Sequence, residues 1–434
     1  MTIGIGLLGL GTVGAGVAAI LSSPEGRHPL VGQLALRRVA VRDLSRPRPV
    51  DLAPEVLTTS PEAVVDDPAV DIVVEVMGGL EPARSLILRA IAAGKSVVTA
   101  NKAVIARYGE EIAAAAAARG VYVLIEAAVG GGIPIIEPLK QSLGGNRLQR
   151  VSGIINGTTN YILSRMAEEG AAYDAVLADA QRLGYAEADP AADVQGGDAA
   201  DKIAILTGLA YGGSVPRASI PTEGIDRLDS RDVAYAAQLG FVVKLLAVAQ
   251  HLGTADDGTE LLDVRVHPTL LPRQHPLAGV HGVNNAILVE GDPVGQVMFY
   301  GPGAGAGPTA SAVVADILNI AGIRQVGGAP GQLDPLLAAG SWRPCRLVDG
   351  SQTRHRNYVR LQTRDQAGVI GRIGTCFGDA GVSLQSIVQF EGQNGAAEIV
   401  AITHEVLEQH FRTALDAIEA LAEVEAVAAC LRTL

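Results

Sequence analysis

The feature that most constrains the fold of this chain is a glycine motif between a strand pattern and a helix pattern. Residues 3–8 are an apolar run, residues 13–21 are typical of a helix, and Gly9, Gly11 and Gly14 stand between them as GxGxxG. In such a turn the glycines allow a tight bend, a close approach to a pyrophosphate and close helix–strand packing. A purely structural glycine turn is the alternative. The motif predicts a dinucleotide site, and the residues expected at the cofactor are Gly9, Gly11, Thr12, Val13 and Gly14.

Strand and helix patterns alternate along the first 130 residues, as they do in βαβ units. After the glycine motif the strand patterns fall at 35–41, 71–76, 96–100 and 121–126, and the helix patterns at 82–92 and 110–119. This series predicts a parallel sheet with both faces covered. The uncharged start of the chain lacks a basic leading region and is interrupted by glycines, so we do not expect a signal peptide.

The rest of the chain divides into three further parts. Residues 131–300 mix longer helices with strands and predict an α+β domain. The helix pattern after the next glycine-rich turn is expected to complete the first domain over about 301–340. Residues 341–356 are polar and predict a linker, and residues 357–434 follow the βαββαβ order of the ferredoxin-like plan. The predicted fold class is α/β, with a Rossmann-type dinucleotide-binding domain at 1–130.

Composition excludes several classes of protein. Charged residues make up 18% of the 434 residues and apolar residues 48%, which argues against a disordered chain. The net charge is −12 and there is no dense run of Lys and Arg, so no nucleic-acid partner is expected. The three cysteines form no CxxC pair, which fits a reducing compartment. We therefore expect a cytoplasmic protein that does not associate with membranes.

The end of the second predicted strand bears on the choice of cofactor, because the 2′ position of the adenosine ribose is read there. Arg42 stands at this position, with Arg46 and Arg48 after it. An arginine can accept a 2′-phosphate, which favours NADP(H). Asp43 follows Arg42, and an acidic residue binds the free ribose hydroxyls, so NAD(H) stays open.

A second informative stretch contains four carboxylates and a lysine within sixteen residues. Asp198 and Lys202 are four residues apart, so on a helix they share one face. Taken alone, they could be an ordinary exposed ion pair. The charged residues of this stretch are Glu187, Asp189, Asp193, Asp198 and Lys202.

Six motifs occur between residues 3 and 325: Asn101-Lys102, 126–134 (EAAVGGGIP), 156–160 (NGTTN), 184–190 (GYxExDP), Asp198…Lys202, and 301–311 (GPGAG, then PTAS). In order and spacing they resemble those of the homoserine dehydrogenases. The resemblance implies an enzyme of threonine and methionine biosynthesis that interconverts L-aspartate 4-semialdehyde and L-homoserine, with a nicotinamide cofactor carrying the hydride. It also implies that residues 131–300 are the domain for substrate binding and dimerisation.

The same resemblance implies a role for each site residue. Lys202 is expected to be the acid/base, because aldehyde reduction needs a proton for the developing alkoxide and an ammonium also stabilises its charge. The residues expected to bind the substrate are Glu187, Asp198 and Asp193. The further residues expected at the cofactor are Arg42, Lys102, Gly184, Glu187 and Gly303. For Lys102 an interfacial salt bridge is the alternative.

A cation site is also implied. Glu126, Val129, Gly131 and Ile133 match the family's monovalent-cation loop, and a carboxylate with backbone carbonyls suits a hard cation such as sodium. The alternative is a glycine-rich crossover in which Glu126 only makes hydrogen bonds.

The last segment resembles an ACT domain, a module that binds amino acids where two copies pair. The resemblance implies threonine as effector, near Asp365, Gly368 and Ser383, and a homodimer or homotetramer. An ACT-like fold that serves only dimerisation is the alternative. Two other functions stay open for the whole chain: an amino-acid sensor that keeps the dehydrogenase fold without turnover, and a dehydrogenase of a related amino-acid semialdehyde.

Overall fold

The computed structural model describes residues 2–327, 332–334, 337–338, 340–341, 343–391 and 396–434. Over these residues the chain forms two sheets. One is a six-stranded sheet at the N-terminal end, and the other has eleven strands and extends from the middle of the chain into its C-terminal part. Helices and strands alternate as expected, so the α/β fold class predicted from the sequence is confirmed.

The N-terminal sheet is parallel throughout, with the order β3-β2-β1-β4-β5-β6. The order reverses beside β1, so a crevice opens at the carboxyl ends of β1 and β4, where sheets of this kind bind ligands. The strands are β1 (Ile3–Leu8), β2 (Leu34–Ala40), β3 (Leu57–Thr58), β4 (Ile72–Glu75), β5 (Ser96–Thr99) and β6 (Val123–Leu124). The helices are α1 (Thr12–Ser22), α2 (Pro61–Val65), α3 (Ala83–Ala92) and α4 (Lys102–Arg119).

Helix α4 begins eight residues earlier than its sequence pattern predicts. The side chain of Asn101 accepts a hydrogen bond from the N–H of Val104 at 3.3 Å and so caps the first turn. The helix ends at Gly120, whose φ of 69° is left-handed. The early start places Lys102 at the first helical position, directly after the carboxyl end of β5.

The middle part of the chain supplies five strands and seven helices to the described structure. Its strands continue in the order β11-β10-β7-β8-β9 across the larger sheet. The strands are β7 (Arg147–Ile154), β8 (Phe241–Thr254), β9 (Glu260–Pro272), β10 (Asn284–Asp292) and β11 (Gly295–Pro302). The helices are α5 (Ile136–Lys140), α6 (Gly157–Glu169), α7 (Tyr173–Arg182), α8 (Ala191–Val194), α9 (Gly197–Tyr211), α10 (Ser230–Gln238) and α11 (Ala306–Val326).

Helix α11 returns to the N-terminal sheet and packs beside α1. Ile317 and Ile320 are fully buried in the same apolar core as Ile5 of β1. Gly16 permits the approach of the two helices, because a Cβ there would lie 2.6 Å from the carbonyl oxygen of Ala306. Length and composition alone would let α11 cross a membrane, but half of the relevant stretch is buried. A core helix of a globular domain has these same properties.

The C-terminal part has the predicted βαββαβ order and extends the larger sheet. Its strands add β17-β13-β15-β14 after β9, with β17 parallel to β9. The strands are β12 (Cys345–Leu347), β13 (Arg354–Arg364), β14 (Leu384–Glu391), β15 (Ala396–Thr403), β16 (Val406–Leu407) and β17 (Val424–Thr433). The helices are α12 (Val369–Asp379) and α13 (Glu408–Glu419).

Part of the segment predicted as a linker, 341–356, is built into the sheet. Strand β12 pairs in parallel with Glu260–Leu262 of β9, and β13 already begins at Arg354. The polar composition of the segment concealed these backbone hydrogen bonds, because strand pairing uses main-chain groups whatever the side chains are.

Candidate active site

The predicted acid/base and its carboxylate partner lie one turn apart on α9. Gly196, with a φ of 81°, precedes the helix, so Asp198 falls in its first turn, where the N-terminal N–H groups favour negative charge. Lys202 Nζ lies 2.7 Å from Asp198 Oδ2 and also donates to the carbonyl oxygen of Ile155 at 2.6 Å. Both side chains are about nine-tenths buried. The pair is therefore not the exposed ion pair that the spacing alone allowed.

A second lysine reaches the same carboxylate from the N-terminal domain. Lys102 Nζ lies 2.9 Å from Asp198 Oδ1, and the lysine side chain is 39% exposed. Because Lys102 follows the carboxyl end of β5, this contact connects the crevice of the parallel sheet to α9. The structure thus brings together three of the residues predicted for the site: Lys102, Asp198 and Lys202.

The two lysines control the ionisation of the carboxyl group between them. Burial raises the pKa of Asp198, but the charges of Lys202 and Lys102 outweigh burial and hold this pKa well below its usual range. The charge of Asp198 in turn raises the pKa of Lys102 despite the cost of desolvation. With Asp198 ionised, the trio keeps an excess of positive charge, which suits an oxygen that becomes negative during reaction.

Asn156 and Thr158 join Asp193 to this centre. Asn156 Nδ2 donates to Asp193 Oδ1 at 2.7 Å and to Asp198 Oδ2 at 2.9 Å. Thr158 Oγ1 lies 3.2 Å from Asp193 Oδ2 and 2.7 Å from the carbonyl oxygen of Tyr185. The sequence prediction did not assign roles to Asn156 and Thr158, although both lie in the NGTTN motif, and that motif was the signal that could have identified them.

Glu187 and Gly184 lie on an exposed turn beside this network. Gly184 has a φ of 76°, which allows the chain to turn after α7. Over the residues that the structure describes, the carboxylate of Glu187 has no hydrogen bond or ion pair, and its carbonyl oxygen accepts from Gln181. The link to the centre runs through Tyr185, whose carbonyl Thr158 contacts. The structure therefore places Glu187 near the site but not in contact with the lysines.

The glycine turn has the geometry that a bound pyrophosphate needs. Gly9 has a φ of 104°, and a Cβ at Gly14 would lie 2.1 Å from the carbonyl oxygen of Gly9, so both positions require glycine. A Cβ at Gly11 would meet nothing within 4 Å, and no side chain caps the start of α1. Among the described contacts the N–H groups of Thr12 and Val13 donate to no protein acceptor, which suits a phosphate site at a helix N-terminus.

Arg42 and Asp43 differ in how they are held. Asp43 Oδ1 accepts hydrogen bonds from the N–H and the hydroxyl of Ser45, at 2.8 and 2.7 Å, and these bonds lower the pKa of Asp43. Arg42 is exposed, and within the described residues nothing pairs with its guanidinium. The acidic residue is thus engaged locally, while the arginine is available to a ligand.

The predicted cation loop packs against the late glycine turn. A Cβ at Gly131 would lie 2.3 Å from the carbonyl oxygen of Gly303, and a Cβ at Gly303 would overlap Asn285. Close packing therefore explains both glycines. Among the described contacts, the carbonyl oxygens of Val129, Gly131 and Ile133 accept no protein hydrogen bond, although all three residues are buried. Buried carbonyls without donors are suitable ligands for a hard cation.

The carboxylate of Glu126 is held by backbone N–H groups. Its carboxylate accepts hydrogen bonds from the N–H groups of Ile135, Ile136 and Glu137, at 2.6, 2.9 and 2.8 Å. It therefore caps the start of α5. Its own N–H donates to Asp316 Oδ2 at 2.8 Å, and burial, with the nearby charge of Glu126, raises the pKa of Asp316 well above its usual range.

Of the residues predicted near an effector, Asp365 and Gly368 lie at the start of α12, whereas Ser383 follows the helix and directly precedes β14. Gly368 precedes this helix with a φ of 90°, and Asp365 Oδ1 accepts from Gln389 Nε2 of β14 at 3.1 Å. The carbonyl oxygen of Ser383 accepts from the N–H of His404 at 2.8 Å. Asp365 and Ser383 thus lie toward opposite ends of β14, the edge strand of the larger sheet, and the structure does not bring them together.

Comparison with known proteins gives concordant matches along the chain. Residues 9–126 match the family described as the NAD binding domain of homoserine dehydrogenase, residues 134–318 match the homoserine dehydrogenase family, and residues 357–423 match the ACT domain. The chain is 58% identical to homoserine dehydrogenase of Synechocystis sp. over the full length of both.

Solved structures agree with these matches. The chain resembles a homoserine dehydrogenase from Thiobacillus denitrificans with 42% identity and a TM-score of 0.89, covering 100% of this chain and 98% of the other. A hyperthermophilic archaeal homoserine dehydrogenase in complex with NADPH has 28% identity and a TM-score of 0.61, covering 76% of this chain and 100% of that one.

Proposed function

Because the chain belongs to the homoserine dehydrogenase family, and is an NAD(P)-dependent oxidoreductase acting on a CH–OH group, we propose that Lys202 is its acid/base and Lys102 and Asp198 its partners. This assignment rests on the hydrogen bonds of the Lys202 ammonium. An ammonium has three N–H bonds. Two of them are engaged by Asp198 and by the carbonyl oxygen of Ile155, which leaves one for the oxygen of the substrate.

The chemistry follows from this arrangement. The nicotinamide, when bound, supplies or accepts the hydride at the terminal carbon of the substrate. In the reducing direction Lys202 donates a proton to the oxygen that becomes negative, and in the oxidising direction it takes the proton back. Asp198 holds Lys202 in place and Lys102 adds a second positive charge near the same oxygen.

The proton-transfer role is tested with Lys202→Met and Lys102→Met, measuring initial rates of homoserine oxidation. We expect kcat to fall by at least about 100-fold for Lys202→Met, as is typical when general acid–base catalysis is removed. Lys95→Met is the matched control, because Lys95 is also largely buried but contacts the carbonyl oxygen of Asp67 away from the site. Full activity of Lys202→Met would show that the assignment is wrong.

We propose that the network around Asp193 binds the α-amino and α-carboxylate groups of the substrate. Glu187 would pair with the α-ammonium of the substrate. Two features support this: Glu187 is exposed beside the site, and its carboxylate has no partner among the described residues. Glu187→Gln should raise KM for homoserine by about tenfold, since a charge-assisted hydrogen bond contributes roughly 1.5–3 kcal/mol. An unchanged KM would remove Glu187 from the substrate site.

For the cofactor, NADP(H) is favoured over NAD(H). The supporting observation is that Arg42 is exposed and unpaired in the described part of the chain, while Asp43 is engaged by Ser45. We expect Arg42→Ala to lower kcat/KM for NADP about tenfold or more and to leave that for NAD within about threefold, consistent with loss of one charge-assisted contact. Arg46→Ala is the control. Equal losses with both cofactors would contradict the assignment.

Sodium is proposed at the carbonyl oxygens of Val129, Gly131 and Ile133, with Glu126 supplying nearby negative charge. The donor set suits this ion, because it consists of buried oxygens without protein donors in the described structure. Thermal unfolding in NaCl, KCl and choline chloride at equal ionic strength tests the site. A Tm that is higher in NaCl is expected, because an ion that binds only the folded chain stabilises it. Equal Tm values in all three salts would refute the site.

Regulation and assembly complete the proposal. The ACT domain supports an amino-acid effector, and threonine is the one proposed. Calorimetric titration of threonine into the full chain tests this proposal. Absence of heat together with unchanged rates would leave only a dimerisation role.

A homodimer or homotetramer is proposed because β11 is an edge strand with Met298 and Tyr300 exposed. Light scattering measures the mass of the particle in solution and so tests the oligomeric state. Three free cysteines support a cytoplasmic location.

A further inference from the structure

A fully buried carboxylate at the crevice has no part in the reaction described above. Glu75 is the last residue of β4, 0% exposed, and pairs in register with Leu8 of β1 on one side and Thr99 of β5 on the other. It therefore lies between the glycine turn and the start of α4. Among the described residues no lysine, arginine or histidine is bonded to it. Because burying a carboxylate is costly, its presence here needs a reason.

The hydrogen bonds of Glu75 lead to the segment that carries Lys102. Glu75 Oε2 accepts from the Thr99 hydroxyl at 2.7 Å, and Thr99 Oγ1 accepts from the N–H of Asn101 at 3.0 Å. Asn101 in turn caps α4, whose first residue is Lys102. An unbroken series of side-chain contacts thus runs from Glu75 to the residue before Lys102.

The same carboxylate also fixes the loop that follows β4. Glu75 Oε1 accepts from the N–H of Met77 at 2.8 Å, and Asn101 Nδ2 donates to the carbonyl oxygen of Gly79 at 2.7 Å. This loop contains two consecutive glycines with φ of 75°, Gly78 and Gly79, so its backbone has little restraint of its own. Glu75 and Asn101 hold it at both ends.

We propose that Glu75 is a positioning residue that sets the start of α4, and with it the contact between Lys102 and Asp198. The inference rests on the proposed role of Lys102 in the reaction. Glu75 acts on the chemistry through Thr99 and Asn101 and does not touch the reacting atoms. The distance it controls is the 2.9 Å between Lys102 Nζ and Asp198 Oδ1.

The hydrogen-bond inventory explains why a carboxylate is required. Both neighbours of Glu75 donate to it: the N–H of Met77 can only donate, and the hydroxyl of Thr99 gives its proton to Glu75 while its oxygen accepts from Asn101. Two acceptors are therefore needed. A glutamine has one acceptor and one donor group. With its amide oxygen on the N–H of Met77, a glutamine turns its NH₂ group toward the Thr99 oxygen, and the hydroxyl proton then loses its acceptor among the described contacts. The reverse orientation places the NH₂ group against the N–H of Met77. Glu75→Gln therefore keeps the volume but leaves one buried donor unpaired.

The experiment is a double-mutant cycle on kcat for homoserine oxidation, with Glu75→Gln, Lys102→Met and the double variant. We expect Glu75→Gln to lower kcat at least about tenfold, and to lower it by less than about twofold further when Lys102 is already methionine. Such non-additivity is the signature of one residue acting through another. A residue that only stabilises the fold would reduce kcat by the same factor in both backgrounds.

A second pair of variants keeps the inference testable if Glu75→Gln folds poorly. Thr99→Ser retains the hydroxyl and should keep kcat within about threefold, whereas Thr99→Val removes it at nearly the same volume and should reproduce the loss. Glu260→Gln is the control for a buried glutamate elsewhere, since Glu260 accepts from Thr254 at 2.9 Å in β8. Glu260→Gln should change kcat by the same factor whether residue 102 is lysine or Lys102→Met is present.

The outcomes separate this inference from the proposed function. If Lys102→Met keeps full kcat, the role of Lys102 fails. If Lys102→Met loses activity while Glu75→Gln and Thr99→Val keep it, the positioning role of Glu75 is overturned and that of Lys102 stands. If the losses of Glu75→Gln and Lys102→Met multiply in the double variant, Glu75 does not act through Lys102, which also overturns the inference.

Discussion

The buried arginine between the ACT domain and the middle domain provides the prediction whose size can be worked out most directly. Arg360 of β13 is 1% exposed and contacts three carboxylates. Its guanidinium lies 2.7 and 3.0 Å from the two oxygens of Asp232, which belongs to α10, and 3.0 Å from Glu398 of β15. A third carboxylate, Asp229, is 3.4 Å away. Arg360→Met removes the cation and keeps much of the apolar stem.

The loss should concentrate on Asp232. Glu398 retains Arg231 and the hydroxyl of Tyr235, both at 2.7 Å, so it is still paired in the variant. Among the side chains that the structure describes, Asp232 retains only the hydroxyl of Tyr358, at 2.9 Å. Removing one partner of a buried ion pair costs about 3–5 kcal/mol, because the remaining charge is left without compensation. We expect Arg360→Met to lose this amount of unfolding free energy.

Urea denaturation of the full-length chain measures the loss, and a second substitution refutes or supports its cause. Arg360→Met combined with Asp232→Asn should be more stable than Arg360→Met alone by about 1–2 kcal/mol, because the uncompensated charge is gone. Arg364→Met is the control on the same strand: Arg364 is 61% exposed, 3.9 Å from Glu425, and should change stability by less than about 0.5 kcal/mol. If the effects of the two buried substitutions simply add, the charge argument is wrong.

Three further predictions concern the cofactor turn, the domain contact and pH. Gly14→Ala should lower Tm by about 3–10 °C, because the added Cβ would overlap the carbonyl oxygen of Gly9. Gly11→Ala should leave Tm unchanged, because its Cβ would meet no protein atom, and should raise KM for the dinucleotide. Equal Tm values for the two variants would contradict this geometry. Asp201 contacts Arg107 of α4 at 3.2 Å and so holds α4 against α9. Asp201→Asn should therefore lower kcat about three- to tenfold, while the circular dichroism spectrum stays that of the wild type. Burial lowers the pKa of Lys244 to about 8, whereas an unfolded lysine titrates near about 10.4. Folding therefore releases a proton between these pH values, and the free energy of unfolding of the wild type rises with pH there. The Tm of the wild type minus that of Lys244→Met should increase over this range, and a pH-independent difference would refute the reasoning.

Sequence reasoning identified those parts of the molecule that local patterns encode. The glycine turn is one, because Gly9 and Gly14 leave no room for a side chain and both belong to one short motif in the chain. The pairing of Asp198 with Lys202 is another, because it follows from helical spacing. The ferredoxin-like order of the C-terminal domain also follows from the alternation of strand and helix patterns.

Other parts depend on contacts between distant segments and were not accessible in this way. The contact of Lys102 with Asp198 joins residues 96 positions apart, and only the family resemblance suggested that both belong to one site. The hydrogen bonds from the N–H groups at the start of α5 to the Glu126 carboxylate were also not foreseen, because no periodic pattern links Glu126 to that helix. Glu75 was not singled out at all, since a glutamate that ends an apolar strand reveals nothing of its partners.

The outer edge of β9 has a consequence for engineering this enzyme. Three separate pieces of chain cover that edge: β12 pairs with 260–262, the N–H of Glu223 donates to the carbonyl oxygen of Val266, and the end of β17 pairs with 269–270. Two of the three belong to the C-terminal part. A variant shortened before β12 would lose both of these pieces and bare the main chain of β9 at 260–262 and 269–270, and bare strand edges associate with one another. Such a variant should precipitate, so loss of its activity would report aggregation and not the absence of an effector site.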